Sequence, residues 1–184
     1  MPDRYPAVLK ESLRTATCVR TKPQDMFEQF THRALKIMAL ANRDAKRFGY
    51  DQIDTEHIFL GFLKESSGVG ANALRSLDVD LSRVLLNMTK LVKSQAGWVV
   101  TDCLPYAPRS KKAIEHAIEE AVGFHHNYVG TEHLLLGLLC EQNGVASRML
   151  LNLSLHLEDV RQGVFDLLSR RGIGATARTD SWEC

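Results

Sequence analysis

The chain has 184 residues, 45% apolar and 24% charged, with a formal net charge of +1 at pH 7. That balance gives no electrostatic reason for a nucleic-acid or membrane partner, and no apolar run approaches the roughly 18 residues of a spanning helix. The N-terminus has no apolar stretch of signal-peptide length. Cys18, Cys103, Cys140 and Cys184 lie far apart without a Cys-x-x-Cys pair, so free thiols in a reducing, cytoplasmic compartment are expected.

Residues 1–25 are polar with Pro2, Pro6 and Pro23, and a disordered extension is expected, with Met26 as an alternative start. From Thr31, a good N-cap, Ala34, Ile37, Met38, Ala41, Ala45 and Phe48 recur at steps of three and four up to Gly49, which predicts an amphipathic helix. Ile53 should plug into the core. Asp54 or Thr55 then caps a second helix to about Lys64, apolar almost all round and therefore buried on most sides. Gly61 inside it costs up to about 1 kcal/mol against alanine, so another helix should cross closely there. A short helix over 69–77 follows the Ser66-Ser67-Gly68 turn. A fourth runs from Leu81 to about Lys93, with Val84, Leu85, Met88, Leu91 and Val92 inward. Residues 94–105 read as a linker, with Trp98-Val99-Val100 its one apolar patch. Helices over 108–124, 131–141, 145–153 and 157–170 come next, Pro108 falling harmlessly in a first turn. Residues 171–184 read as a flexible tail.

The last four helices repeat the first four. Thr55-Glu56-His57-Ile58-Phe59-Leu60-Gly61-Phe62-Leu63 returns as Thr131-Glu132-His133-Leu134-Leu135-Leu136-Gly137-Leu138-Leu139. Laying Phe30–Lys93 over Tyr106–Ser169 without a gap gives 19 identities in 64 positions, a tandem duplication. The expected fold is all-α: two four-helix repeats, 26–93 and 106–170, related by a pseudo-two-fold axis.

These motifs, each followed by Glu-x-x-Gly-Val and a Leu-x-x-Leu helix, resemble the Clp N-terminal repeat domain, and the ClpC branch in particular. Phe30-Thr31-His32-Arg33-Ala34 resembles that branch's opening and Tyr106-Ala107-Pro108-Arg109 its second opening. The likeness covers about Met26 to Leu168. It implies a non-catalytic module that docks protein clients or adaptors for a Clp-type ATP-dependent unfoldase–protease system, with Clp ATPase or protease subunits as partners and no cofactor. The chain carries no Gly-x-x-x-x-Gly-Lys-[Ser/Thr] loop, so it is expected to be a stand-alone repeat protein or a truncated product rather than the motor. The alternative implied is an accessory or assembly factor that docks on the Clp protease or ATPase and binds no clients.

The resemblance also implies that Glu56 and Glu132 grip the guanidinium of phosphoarginine. A carboxylate takes a planar guanidinium through two parallel charge-assisted bonds, and free N–H groups at a nearby helix start accept a phosphate. The bland reading of both residues is a first-turn carboxylate that complements the helix dipole. Thr31, Thr55 and Thr131 join the candidate ligand set, Thr31 placed with the first site; its counterpart Ala107 lacks the hydroxyl. No metal site is expected, because His57, His116, His125, His126 and His133 show no His-Glu-x-x-His spacing. A hydrolase using Glu56 or Glu132 with a neighbouring histidine lacks a nucleophile motif to support it. Gly68-Val69-Gly70 reads as a helix-start turn, and Arg33, Lys36, Arg109 and Lys112 as solvated helix faces.

Overall fold

Thr31 lies in extended conformation and its Oγ1 accepts the N–H of Ala34 at 3.3 Å, satisfying one of the orphan donors at a helix start. That helix, α1 (His32–Arg47), is the first of eight in a computed structural model that describes residues 27–92, 101, 103–142 and 144–170. Its buried residues are Ala34, Ile37, Met38, Ala41, Asp44 and Ala45; this is the predicted stripe except that Phe48, at the C-cap, is only half-buried and the acidic Asp44 joins it. In α2 (Thr55–Glu65) every residue but Glu56 and Lys64 is buried. α3 (Val69–Ser76) and α4 (Leu81–Leu91) complete the first half. The second half repeats the order in α5 (Pro108–Gly123), α6 (Thr131–Cys140), α7 (Val145–Leu151) and α8 (Leu157–Arg170), and α6 is buried at every position. Among the described residues the only extended pairing is two isolated bridges, so the fold is all-α. No helix there is long and apolar enough to cross a membrane.

The glycines inside the buried helices explain how α1 and α5 approach them. A Cβ on Gly61 would stand 2.5 Å from Ile37 O and 3.2 Å from Ala41 N. On Gly137 it would collide with Ala113 O and Ala117 N. These neighbours are equivalent across the 76-residue offset, so both helix pairs cross at a bare backbone in the same way.

The two bridges lock the halves together. Phe30 pairs in parallel with Val129, and Ile53 with Tyr106. Thr31 N donates to Val129 O at 3.0 Å and Val129 N to Gln29 O at 2.8 Å; Ile53 N donates to Pro105 O at 2.8 Å and Ala107 N to Ile53 O at 2.9 Å. Phe30 corresponds to Tyr106 and Ile53 to Val129, so each half hands the lead-in of its first helix to the loop ahead of the other half's second helix. This reciprocity is the pseudo-two-fold relation. Ile53 is fully buried, as expected.

The symmetry is incomplete. α3 packs against α8 across the halves, while α4 packs on α2 and lightly on α3, with no comparable cover from α7. Leu91, expected to face inward, is 55% exposed. Val84, Met88 and Val92, four residues apart, fill the one covered stripe, and Leu91 lies off it. The free-thiol expectation also needs correction: Cys103 and Cys140 each take part in a disulfide, and no described cysteine is free. Linear spacing does not show which cysteines a fold brings together, and the premise for a reducing compartment goes with the free thiols. The readings for residues 1–25, the Met26 start, the Trp98-Val99-Val100 patch and the 171–184 tail lie outside the described residues.

Candidate ligand-binding site

The Thr-Glu-His triplets sit at the first turns of α2 and α6, and the histidine shapes each turn. Asp54 Oδ1 accepts from Thr55 N at 2.7 Å, and His57 Nδ1 accepts from Asp54 N at 3.0 Å. This is a capping box with histidine at the position usually held by Glu or Gln. In α6, His133 Nδ1 accepts from Gly130 N at 2.9 Å, but Gly130 has no side chain to return a bond. Both imidazoles are fully buried. Burial pushes His57 down to about 4, with Asp54 and Asp44 pulling the other way. Burial, helped by His126, pushes His133 to about 3. Each therefore caps its helix as a neutral ring.

The glutamates between threonine and histidine differ. Glu56 is half-buried. Burial raises its carboxyl above the usual range against a bond from its own backbone N–H, with Asp54 adding to the rise and Arg109 opposing it. Glu132 is only 3% exposed. Its Oε2 accepts from Thr131 Oγ1 at 3.2 Å, and Thr131 Oγ1 accepts from Gly70 N, in the other half, at 3.2 Å. Thr55 Oγ1, the counterpart hydroxyl, is buried and finds no hydrogen-bond partner among the described residues.

The reciprocal bridges regroup the candidate residues. Thr31 lies against Val129, three residues ahead of Glu132. Ala107 lies against Ile53, three residues ahead of Glu56, and Arg109 in the first turn of α5 is close enough to act on that carboxyl. Each candidate site is thus composite, with the glutamate from one half and the helix start from the other. Beside Glu132, the start of α1 presents the N–H groups of His32 and Arg33, which have no intrahelical acceptor. Beside Glu56, Ala107 supplies no hydroxyl and Pro108 no N–H. Among the basic residues, Lys36 Nζ reaches Glu65 Oε2 at 2.5 Å and so holds a buried carboxylate rather than a wholly solvated face.

One grouping was not visible in the sequence. Donor atoms of His126, Glu132 and His133 all lie within 4.8 Å of one another, a spacing that could hold a metal ion. The hydrogen bonding decides against it. A metal-bound imidazole donates its other ring N–H to an acceptor, but the other nitrogen of His133 faces the N–H of Gly130 and must itself accept. Neutral His133 then carries its proton on Nε2 and donates it to His126 Nδ1 at 3.0 Å. Tyr128 stacks on His126 at 4.7 Å. The counterpart of His126 is Tyr50, whose ring meets His57 edge-on at 4.5 Å. His116 pairs instead with Glu119 at 3.1 Å on the surface.

Two interlocked, sequence-related four-helix halves with matched Thr-Glu-His helix starts define a tandem helical repeat module. The family of Clp repeat (R) N-terminal domains matches residues 29–153 and 105–175, and the chain belongs to that family. It is 38% identical over 170 residues to a chloroplastic chaperone protein ClpC of Pisum sativum, covering 92% of this chain and 18% of that protein. It is 42% identical over 152 residues to the Bacillus subtilis negative regulator of genetic competence ClpC/MecB, covering 83% of this chain and 18% of that protein. The chain thus spans under a fifth of the length of these relatives. In fold it is similar to the N-terminal domain of the chaperone ClpD from Arabidopsis thaliana (TM-score 0.59, 21% identity, 78% of this chain and 96% of that one). It also resembles the Hsp104 N-terminal domain from Candida albicans (TM-score 0.65, 18% identity, 83% and 98%). A third fold match is a ClpV N-domain in complex with a VipB peptide (TM-score 0.65, 10% identity, 82% and 94%).

Proposed function

We propose that this chain is a non-catalytic docking module of a Clp-type ATP-dependent unfoldase–protease system, taking protein clients or adaptors, and that its small-ligand determinant is phosphoarginine. The observation that carries this reading is the composite site: the bridges bring the start of a helix from one half to a first-turn carboxylate of the other. A carboxylate complements a guanidinium, and a helix start complements a phosphate. Glu56, with Arg109 acting on it, joins both signs of charge at one place, as a zwitterionic ligand requires. Family membership supports a protein-binding role, and the ClpV N-domain with its peptide is a precedent on the same fold.

A second reading, an accessory factor that docks on a Clp protease or ATPase without binding clients, is favoured by the apolar Leu86 and Leu91 left exposed on α4. Titration with free phosphoarginine separates the two. Binding by the wild type that is lost on changing Glu56→Ala together with Glu132→Ala supports client docking. A wild type that binds no phosphoarginine leaves the accessory reading, tested by co-purification with a Clp ATPase or protease.

A further inference from the structure

Gly130 adopts φ −94° and ψ −177°, extended backbone open to any residue. Asp54, its counterpart, has almost the same conformation, φ −102° and ψ 172°. Conformation therefore does not require a glycine at 130; space does. A Cβ there would stand 2.6 Å from Cδ of Glu132 and 2.7 Å from its Oε2, and would collide with its Oε1. Glu132 lies folded back over residue 130, where the Thr131 hydroxyl holds it and Gly70 N–H in turn holds that hydroxyl. In the first half Asp54 fills the corresponding space with its own side chain, which caps α2, and Glu56 remains half-buried.

We infer that Gly130 is a positioning residue that latches Glu132 shut, so that the chain rests with one ligand carboxylate available, Glu56, and the other masked. This rests on the phosphoarginine reading and deepens it, assigning unequal states to two sites that the duplication made alike. The masked site has the better phosphate end, with Thr31 and first-turn N–H groups of α1 that have no intrahelical acceptor. The available site has the accessible carboxylate but lacks the hydroxyl and one N–H. Opening the second site costs the Thr131–Glu132 bond and loosens the tie from Thr131 to Gly70, so a ligand there works against a closed population.

The test uses the full chain with free phosphoarginine as the probe. Wild type should bind one equivalent, lost in Glu56→Gln. Gly130→Ala displaces only the far end of the flexible Glu132 side chain. It should therefore release the carboxylate, add a second equivalent and let binding survive Glu56→Gln, with affinity at the second site rising on the order of tenfold. Two equal sites in the wild type, or no change in stoichiometry or affinity in Gly130→Ala, would overturn the latch. If no variant binds phosphoarginine, the ligand reading falls, and the latch is then judged on Tyr128. Burial and, after it, the charge of Glu132 raise the Tyr128 phenol. Its midpoint, followed by NMR, should move back towards the ordinary value in Gly130→Ala; an unchanged midpoint overturns the latch by itself.

Discussion

Lys64 in α2 grips both carboxylate oxygens of Asp44 in α1, at 2.6 and 2.7 Å, and the duplication did not preserve this pair by position. Asp44 corresponds to Glu120 and Lys64 to Cys140. The buried anion has been kept while its cation has moved: Arg161 of α8 reaches Glu120 through Nη2 and Nε. Asp44 and Glu120 are both buried, and an unpaired charge at such a depth costs far more than the pair contributes. Lys64→Met should therefore destabilise the protein by about 3–5 kcal/mol, and Arg161→Met by a comparable amount. Adding Asp44→Asn to Lys64→Met should recover much of the loss. Urea midpoints of the three variants measure it; a Lys64→Met protein as stable as wild type would show that Asp44 does not need its partner.

Acid should unfold this protein through its capping histidines. An unfolded imidazole titrates near 6.5, whereas folded His57 waits until about 4 and His133 until about 3. Between those values the unfolded state binds more protons, so stability is complete above pH about 6.5 and falls as pH drops through the window. The slope is about 1.4 kcal/mol per pH unit for each histidine. Glu56, with its carboxyl raised, works in the opposite sense nearer the carboxylate range. Glutamine at the same helical position accepts the same N-cap bond without titrating. His57→Gln and His133→Gln should each flatten the profile between pH 6.5 and 4.5 in denaturant titrations, and an equally steep profile would place the acid sensitivity elsewhere.

The helices are legible in the sequence because apolar spacing, caps and the repeated motif all agree, and Gly61 with Gly137 discloses the close crossings. What escaped the sequence depends on which surfaces meet. Leu91 has the spacing of a core residue, but none of the described helices covers its side of α4. The family resemblance places Thr31 with Glu56, whereas strand-like pairing sets it against Val129 of the other half. Glu132 looked equivalent to Glu56 until the missing side chain at 130 allowed it to fold back. His126 and His133, seven residues apart across a turn, meet only in the fold.

The buried glycines separate packing from helix propensity. Alanine at Gly61 or Gly137 would drive a methyl into the backbone of α1 or α5, and neither backbone can give way as a side-chain tip can. Each change should cost about 1–3 kcal/mol or more as overpacking. Gly163 in α8 is the control, since an added Cβ there would meet Ser76 Oγ at 3.7 Å and Ala73 at 3.9 Å, ordinary contact distances. Gly163→Ala should stabilise by up to about 1 kcal/mol from helix propensity alone. Thermal midpoints that fall for all three substitutions, or for none, would break the distinction.

His125 holds the position that Gly49 holds in the first half. Gly49 follows α1 at φ 79° and His125 follows α5 at φ 55°, both left-handed. The same bonds close the two helix ends: Gly49 N to Lys46 O and Tyr50 N to Ala45 O in one, His125 N to Val122 O and His126 N to Ala121 O in the other. A side chain in this region costs about 1–2 kcal/mol, and glycine returns part of that advantage through a freer unfolded chain. His125→Gly should therefore stabilise by about 0.5–1 kcal/mol, read from the denaturant midpoint. The same variant carries a second signal. Burial lowers His126, and the charge of His125 lowers it further, so removing that charge should raise the His126 midpoint in an NMR titration. A variant that is no more stable but still shifts His126 would mean that the turn is not strained by its histidine, even though the two rings interact.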